Sequence, residues 1–150
     1  MRLPVQDSPA GAFVDRLLAI TLVGLAAFFV VVLGRVAPDG RGHGTHEQLG
    51  MAPCSWPILY DAPCPTCGVT TAATHLVHLD PIRAVATQPF GAFLAGLGLY
   101  AAWLAARSLV CRTSLVGELA TKPYGRLIRL ALLLGFGSWA YVWLTWPTPA

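Results

Sequence analysis

Three stretches without a charged residue dominate the pattern of the chain, at positions 17–34, 84–106 and 130–150. Each is close to the ~20 residues that, at a rise of ~1.5 Å per residue, carry a helix across a hydrocarbon core ~30 Å thick. The pattern therefore predicts an all-α integral membrane protein with three transmembrane helices, near 16–34, 89–108 and 129–147, in one membrane domain spanning 1–150. Between the first two spans the pattern breaks. Residues 36–63 are rich in glycine, proline and polar side chains and read as a loop, part of a cysteine-containing outer segment over 35–80. Residues 69–79 suit a helix too short to span, hence interfacial or re-entrant. Asp80-Pro81 then signals a second short helix that runs to Gln88 and stops or kinks at Pro89. One or two short helices are thus expected between the first and second spans. Residues 1–11, with Pro4 and Pro9, read as an irregular lead.

Small residues recur every fourth position at Gly98, Ala102 and Ala106 and at Ala131 and Gly135, a spacing that lets helix backbones approach. These faces suggest self-association or contact with a membrane-protein partner, beside the lipid bilayer itself. Trp139, Tyr141, Trp143 and Trp146 crowd the end of the third span, where an aromatic belt is expected.

Composition agrees, since 55% hydrophobic and 11% charged residues do not describe a water-soluble domain. A cleaved signal peptide fits the first run poorly, because it exceeds a usual hydrophobic region and Arg35 interrupts the place of a cleavage site. It reads as a retained anchor. Seven of the ten basic residues flank the first span's start or lie between the second and third spans, and only Arg35, Arg41 and Arg83 lie in the first connection. The positive-inside rule then puts the N-terminus in the cytoplasm, and the C-terminus and the Cys54–Cys67 stretch outside it. No acid lies inside a span to suggest a proton relay, and no basic and aromatic interleaving suggests nucleic-acid binding.

The chemistry concentrates in Cys64-Pro65-Thr66-Cys67-Gly68. If a helix starts near Cys64, its free N–H groups and dipole favour a thiolate there. Two sulfurs three residues apart also suit one metal ion, and Cys54 offers a third. Cys111 belongs to the opposite end of the second span. Three outer thiols leave one unpaired if a disulfide forms: a Cys54–Cys64 bridge would close a short loop and leave Cys67 free, and a Cys64–Cys67 bridge would leave Cys54 free as a relay. His75 and His78 share a helix face, and either completes a Cys₃His zinc site on paper, whereas His43 and His46 fall in the glycine-rich loop. Thr70 and Thr71 carry no expected chemistry.

The run from Cys64 to Ala72 resembles the C-P-x-C-G-x-T-R-A signature of a family of small bacterial membrane proteins catalogued as a domain of unknown function, number 2752. The resemblance extends from Cys54 to about Leu104, with Thr71 at the position of the arginine and Gln88-Pro89 at that of an Asn-Pro pair. It implies a bacterial cytoplasmic membrane protein in which Cys54, Cys64 and Cys67 belong together, and it implies no activity. Two functions follow from the residues. The cysteines tie the outer loop through a disulfide or zinc in a scaffold or partner subunit, or the chain is a membrane thiol-disulfide oxidoreductase with Cys64 as nucleophile, Cys67 as resolving thiol and Cys54 as relay.

Overall fold

A computed structural model of the chain describes residues 9–146; Arg2 and the rest of the first eight residues lie outside it, as do residues 147–150, where the third span was expected to end. The protein is an all-helical membrane protein. Its helices are α1 (Pro9–Gly34), α2 (Ser55–Tyr60), α3 (Val69–Val77), α4 (Pro81–Thr87), α5 (Pro89–Cys111), α6 (Leu115–Ala120) and α7 (Tyr124–Leu144), with a 3-10 turn at Thr45–Leu49. Helices α1, α5 and α7 are long and apolar enough to cross a membrane. Phe28, Phe29, Trp103, Leu133 and Phe136 stand exposed on them, as lipid-facing side chains should.

Several boundaries differ from the sequence reading. Helix α1 begins at Pro9, so residues 9–11 are helical and not part of an irregular lead; proline suits a first helical turn because its missing N–H has no partner there anyway. Three short α-helices, not one or two, separate α1 from α5, and α6 adds a fourth before α7. The loop over 36–63 holds two of the unforeseen elements, α2 and the 3-10 turn.

The residues fall into two compact units. The first combines Met1–Val30 with Leu97–Tyr124, the second Val31–Gly96 with Gly125–Ala150. In the first unit Ala19 of α1 packs with Leu104 and Ala105 of α5 and with Leu115 of α6 in a small buried core. Asp15 lies inside α1, where its carboxylate accepts from the Ser114 hydroxyl at 3.2 Å and from the backbone N–H groups of Leu115 and Val116 at 3.1 and 2.8 Å. These N–H groups are orphans of the first turn of α6, so the acid acts as a cap supplied from another helix. The packed face of α5 is thus that of Leu104, Ala105 and Ser108, not the stripe through Gly98, beside which a Cβ would meet nothing within 4 Å.

The second unit holds the cysteine-containing loop. Asp80 caps α4 by accepting from the Arg83 N–H at 3.0 Å, as its place before Pro81 predicts. The aromatic residues of α7 do more than mark an interface. Trp139 Nε1–H donates to the Pro63 carbonyl at 3.2 Å, and the Tyr141 hydroxyl donates to the Ala86 carbonyl at 2.7 Å.

Candidate tri-cysteine site

A tight double turn sets the cysteine geometry. The Cys67 N–H donates to the Cys64 carbonyl at 3.0 Å and the Val69 N–H to the Thr66 carbonyl at 3.1 Å, with Pro65 pre-set for the second position of the first turn. Helix α3 therefore starts at Val69, five residues beyond Cys64, and Gly68 is its N-cap with φ 86°. The helix expected over 69–79 thus forms, but the condition for a dipole-stabilised thiolate, a start near Cys64, is not met. Gly68 is required twice, by its left-handed backbone and because a Cβ would lie 2.8 Å from the Gly42 carbonyl oxygen. Cys54, the N-cap residue of α2, comes in from the other side of the loop.

The result is a convergence of three sulfurs. Those of Cys54, Cys64 and Cys67 all lie within 4.8 Å of one another, and Cys64 Sγ is 3.2 Å from Cys67 Sγ. All are free thiols, Cys67 buried and the other two half-buried. Cys111 lies in the first unit, exposed, outside this group.

The two thiols of the turn are electrostatically unequal. Burial acts to raise the Cys64 pKa, but donors outweigh it, first the Thr66 hydroxyl at 3.5 Å and then the Cys67 thiol, so Cys64 titrates below an ordinary cysteine. Burial first, and then its neighbour Cys64, push Cys67 up to about 12. Side-chain and backbone donors, not a helix dipole, lower the Cys64 pKa.

The wall opposite the sulfurs is built by the loop. Arg41 bridges Asp39 at 2.8 Å and Glu47 at 3.0 Å, which holds the Asp39 carboxyl below the usual range. Thr45, fully buried, accepts from the Asp39 N–H at 3.0 Å and shares a hydrogen bond of 2.9 Å with the Thr71 hydroxyl of α3. A cavity of about 460 Å³ opens in front of Cys54, Cys64 and Cys67, with His46 and Met51 among its other walls.

His75 and His78 stand outside the sulfur group. His78 Nε2 pairs with the Val36 carbonyl at 3.0 Å. His75 borders a separate cavity with Cys67 and His43, and burial lowers its pKa against the pull of Asp80. The sequence reading left out Thr45 and Thr71 as anchors, since a bond across 26 positions leaves no local periodicity. Gln88 is another buried polar residue it passed over. Its Oε1 accepts from the Gly91 N–H, and its Nε2 has no partner among the described residues.

No curated protein and no solved structure matches the chain. Residues 54–102, the segment that bears Cys54, Cys64 and Cys67, match the family described as "Protein of unknown function (DUF2752)".

Proposed function

We propose that Cys54, Cys64 and Cys67 form a metal–thiolate centre of the zinc class, on the extracytoplasmic side of the cytoplasmic membrane, that fixes the outer loop in a small membrane scaffold or partner subunit. The observation that carries this reading is the arrival of a third sulfur, from α2, within 4.8 Å of both sulfurs of the turn. A dithiol needs two cysteines, whereas a thiolate metal site is built by sulfurs gathered from separate segments. A divalent cation also supplies the positive charge that a thiolate at buried Cys67 otherwise lacks.

The inequality of Cys64 and Cys67 favours a second reading, a membrane thiol-disulfide oxidoreductase. Here the Cys64 thiolate attacks a substrate disulfide and expels one substrate thiolate, and Cys67 attacks the mixed disulfide and releases the second. The resulting Cys64–Cys67 disulfide is attacked by Cys54 and reduced to thiols by an external dithiol, which is itself oxidised to a disulfide. One preparation separates the two. Protein purified from membranes without reductant is weighed intact, before and after alkylation, and its metals are measured. Near-stoichiometric zinc with the three thiols protected supports the metal centre. A mass lower by two hydrogens, one alkylated outer cysteine and no metal overturn it in favour of the disulfide chemistry.

A further inference from the structure

A tetrahedral zinc centre needs a fourth donor, and we infer that His46 provides it; this inference rests on the metal–thiolate reading. The cavity in front of the sulfurs offers a short choice of side chains, and most are already engaged. Glu47 is held by Arg41. The Nδ1 of His43, 3.1 Å from the Arg41 carbonyl oxygen, leaves Nε2 free, but that bond and the Trp146 ring at 4.6 Å fix the imidazole outside the sulfur group, where it also borders the second cavity. The Thr66 hydroxyl turns to Cys64 and the Thr71 hydroxyl to Thr45. The two histidines favoured by sequence are worse placed, His78 being bonded to Val36 and His75 facing a cavity that Cys54 and Cys64 do not line.

His46 alone combines a place on the cavity wall with an imidazole that has no hydrogen-bond partner among the described residues. Its backbone is nevertheless fixed. It belongs to the 3-10 turn whose Thr45 is anchored on α3, and its carbonyl accepts from the Met51 N–H at 3.4 Å. The ring stands outside the 4.8 Å sulfur group, so ligation requires its side chain to turn, and no bond holds it back. Of the remaining cavity donors, Met51 is a thioether that suits copper(I) better than zinc, and the Thr70 hydroxyl is not among the usual zinc ligands. A Cys₃His site made this way joins three pieces of the loop, the 3-10 turn, α2 and the double turn before α3.

The test is a cobalt(II) titration of the reduced, detergent-solubilised full chain, followed by zinc competition. The wild type is expected to give the intense visible bands of tetrahedral cobalt with thiolate charge transfer. His46→Ala should lose more than the roughly 10- to 100-fold in affinity that changes behind a metal ligand cost, with a shifted visible spectrum. His46→Cys should restore tight binding with a four-thiolate spectrum, which also shows that the loop still folds, and His75→Ala should match the wild type. If Cys54→Ser abolishes binding while His46→Ala keeps the wild-type affinity and spectrum, the assignment of His46 is wrong and the tri-cysteine centre stands. If the wild type with three titratable outer thiols binds neither cobalt nor zinc, both fall.

Discussion

The hydroxyls of Thr45 and Thr71 meet at 2.9 Å with both side chains fully buried, and this bond joins the 3-10 turn to α3. Thr71→Val keeps the shape and leaves the Thr45 hydroxyl short of a partner away from water. The expected loss is about 1–3 kcal/mol of stability. Thermal unfolding in detergent measures it, and Thr45→Val/Thr71→Val should cost less than the sum of the single changes. Additive losses would mean that the two hydroxyls do not share a bond.

Gly68→Ala tests the double turn. Forcing an alanine to φ 86° costs about 1–2 kcal/mol by itself, and here the new methyl also lies 2.8 Å from the Gly42 carbonyl oxygen. Gly50→Ala is the matched control, because Gly50 has φ 80° and open space around it. Gly68→Ala should lower the unfolding temperature well beyond Gly50→Ala and abolish metal uptake by the cysteines. Equal effects would show that the carbonyl moves aside.

Asp15→Ala removes three hydrogen bonds to the start of α6 at once. Two of these acceptances are from otherwise unpaired backbone N–H groups, and such capping bonds to a carboxylate make the expected cost about 2–3 kcal/mol. Asp15→Asn, which keeps one oxygen acceptor, should cost less. Proteolysis at residues 113–122 should rise in the order wild type, Asp15→Asn, Asp15→Ala; no change at that site would dismiss the cap.

The thiols of the turn should part company with pH. In reduced, metal-free protein Cys64 carries thiolate at a lower pH than an ordinary cysteine, while Cys67 stays protonated until close to pH 12. Alkylation followed by peptide mapping should therefore modify Cys64 from a lower pH than an ordinary cysteine and leave Cys67 intact up to strongly alkaline pH. Thr66→Val, which deletes the first donor to Cys64, should move the onset at Cys64 to higher pH. Equal rates at both cysteines would contradict the assigned inequality.

The membrane helices are legible in the sequence because lipid permits no other use for runs such as 84–106, and the cap at Asp80 because proline follows it. The grouping of Cys54 with Cys64 and Cys67 is legible too. Helix α2 is not, since Pro57 reads as a breaker. It sits at the third position of that helix, where its absent N–H forfeits no intrahelical bond. Asp15 looks like a charge at the head of a span until α6, a hundred residues on, presents its N–H groups. His46 sits in a stretch whose glycines suggest slackness. The Thr45–Thr71 bond, the Arg41 ion pairs and the turn's own backbone bonds show that the stretch has a fixed backbone.

The indole of Trp139 holds the carbonyl of Pro63, the residue next to Cys64, so the third span grips the chain one peptide from a reactive sulfur. A helix in a bilayer tilts as the hydrocarbon thickness changes. Any tilt of α7 is thereby tied to the cysteine turn through a single indole hydrogen bond, which Trp139→Phe would remove.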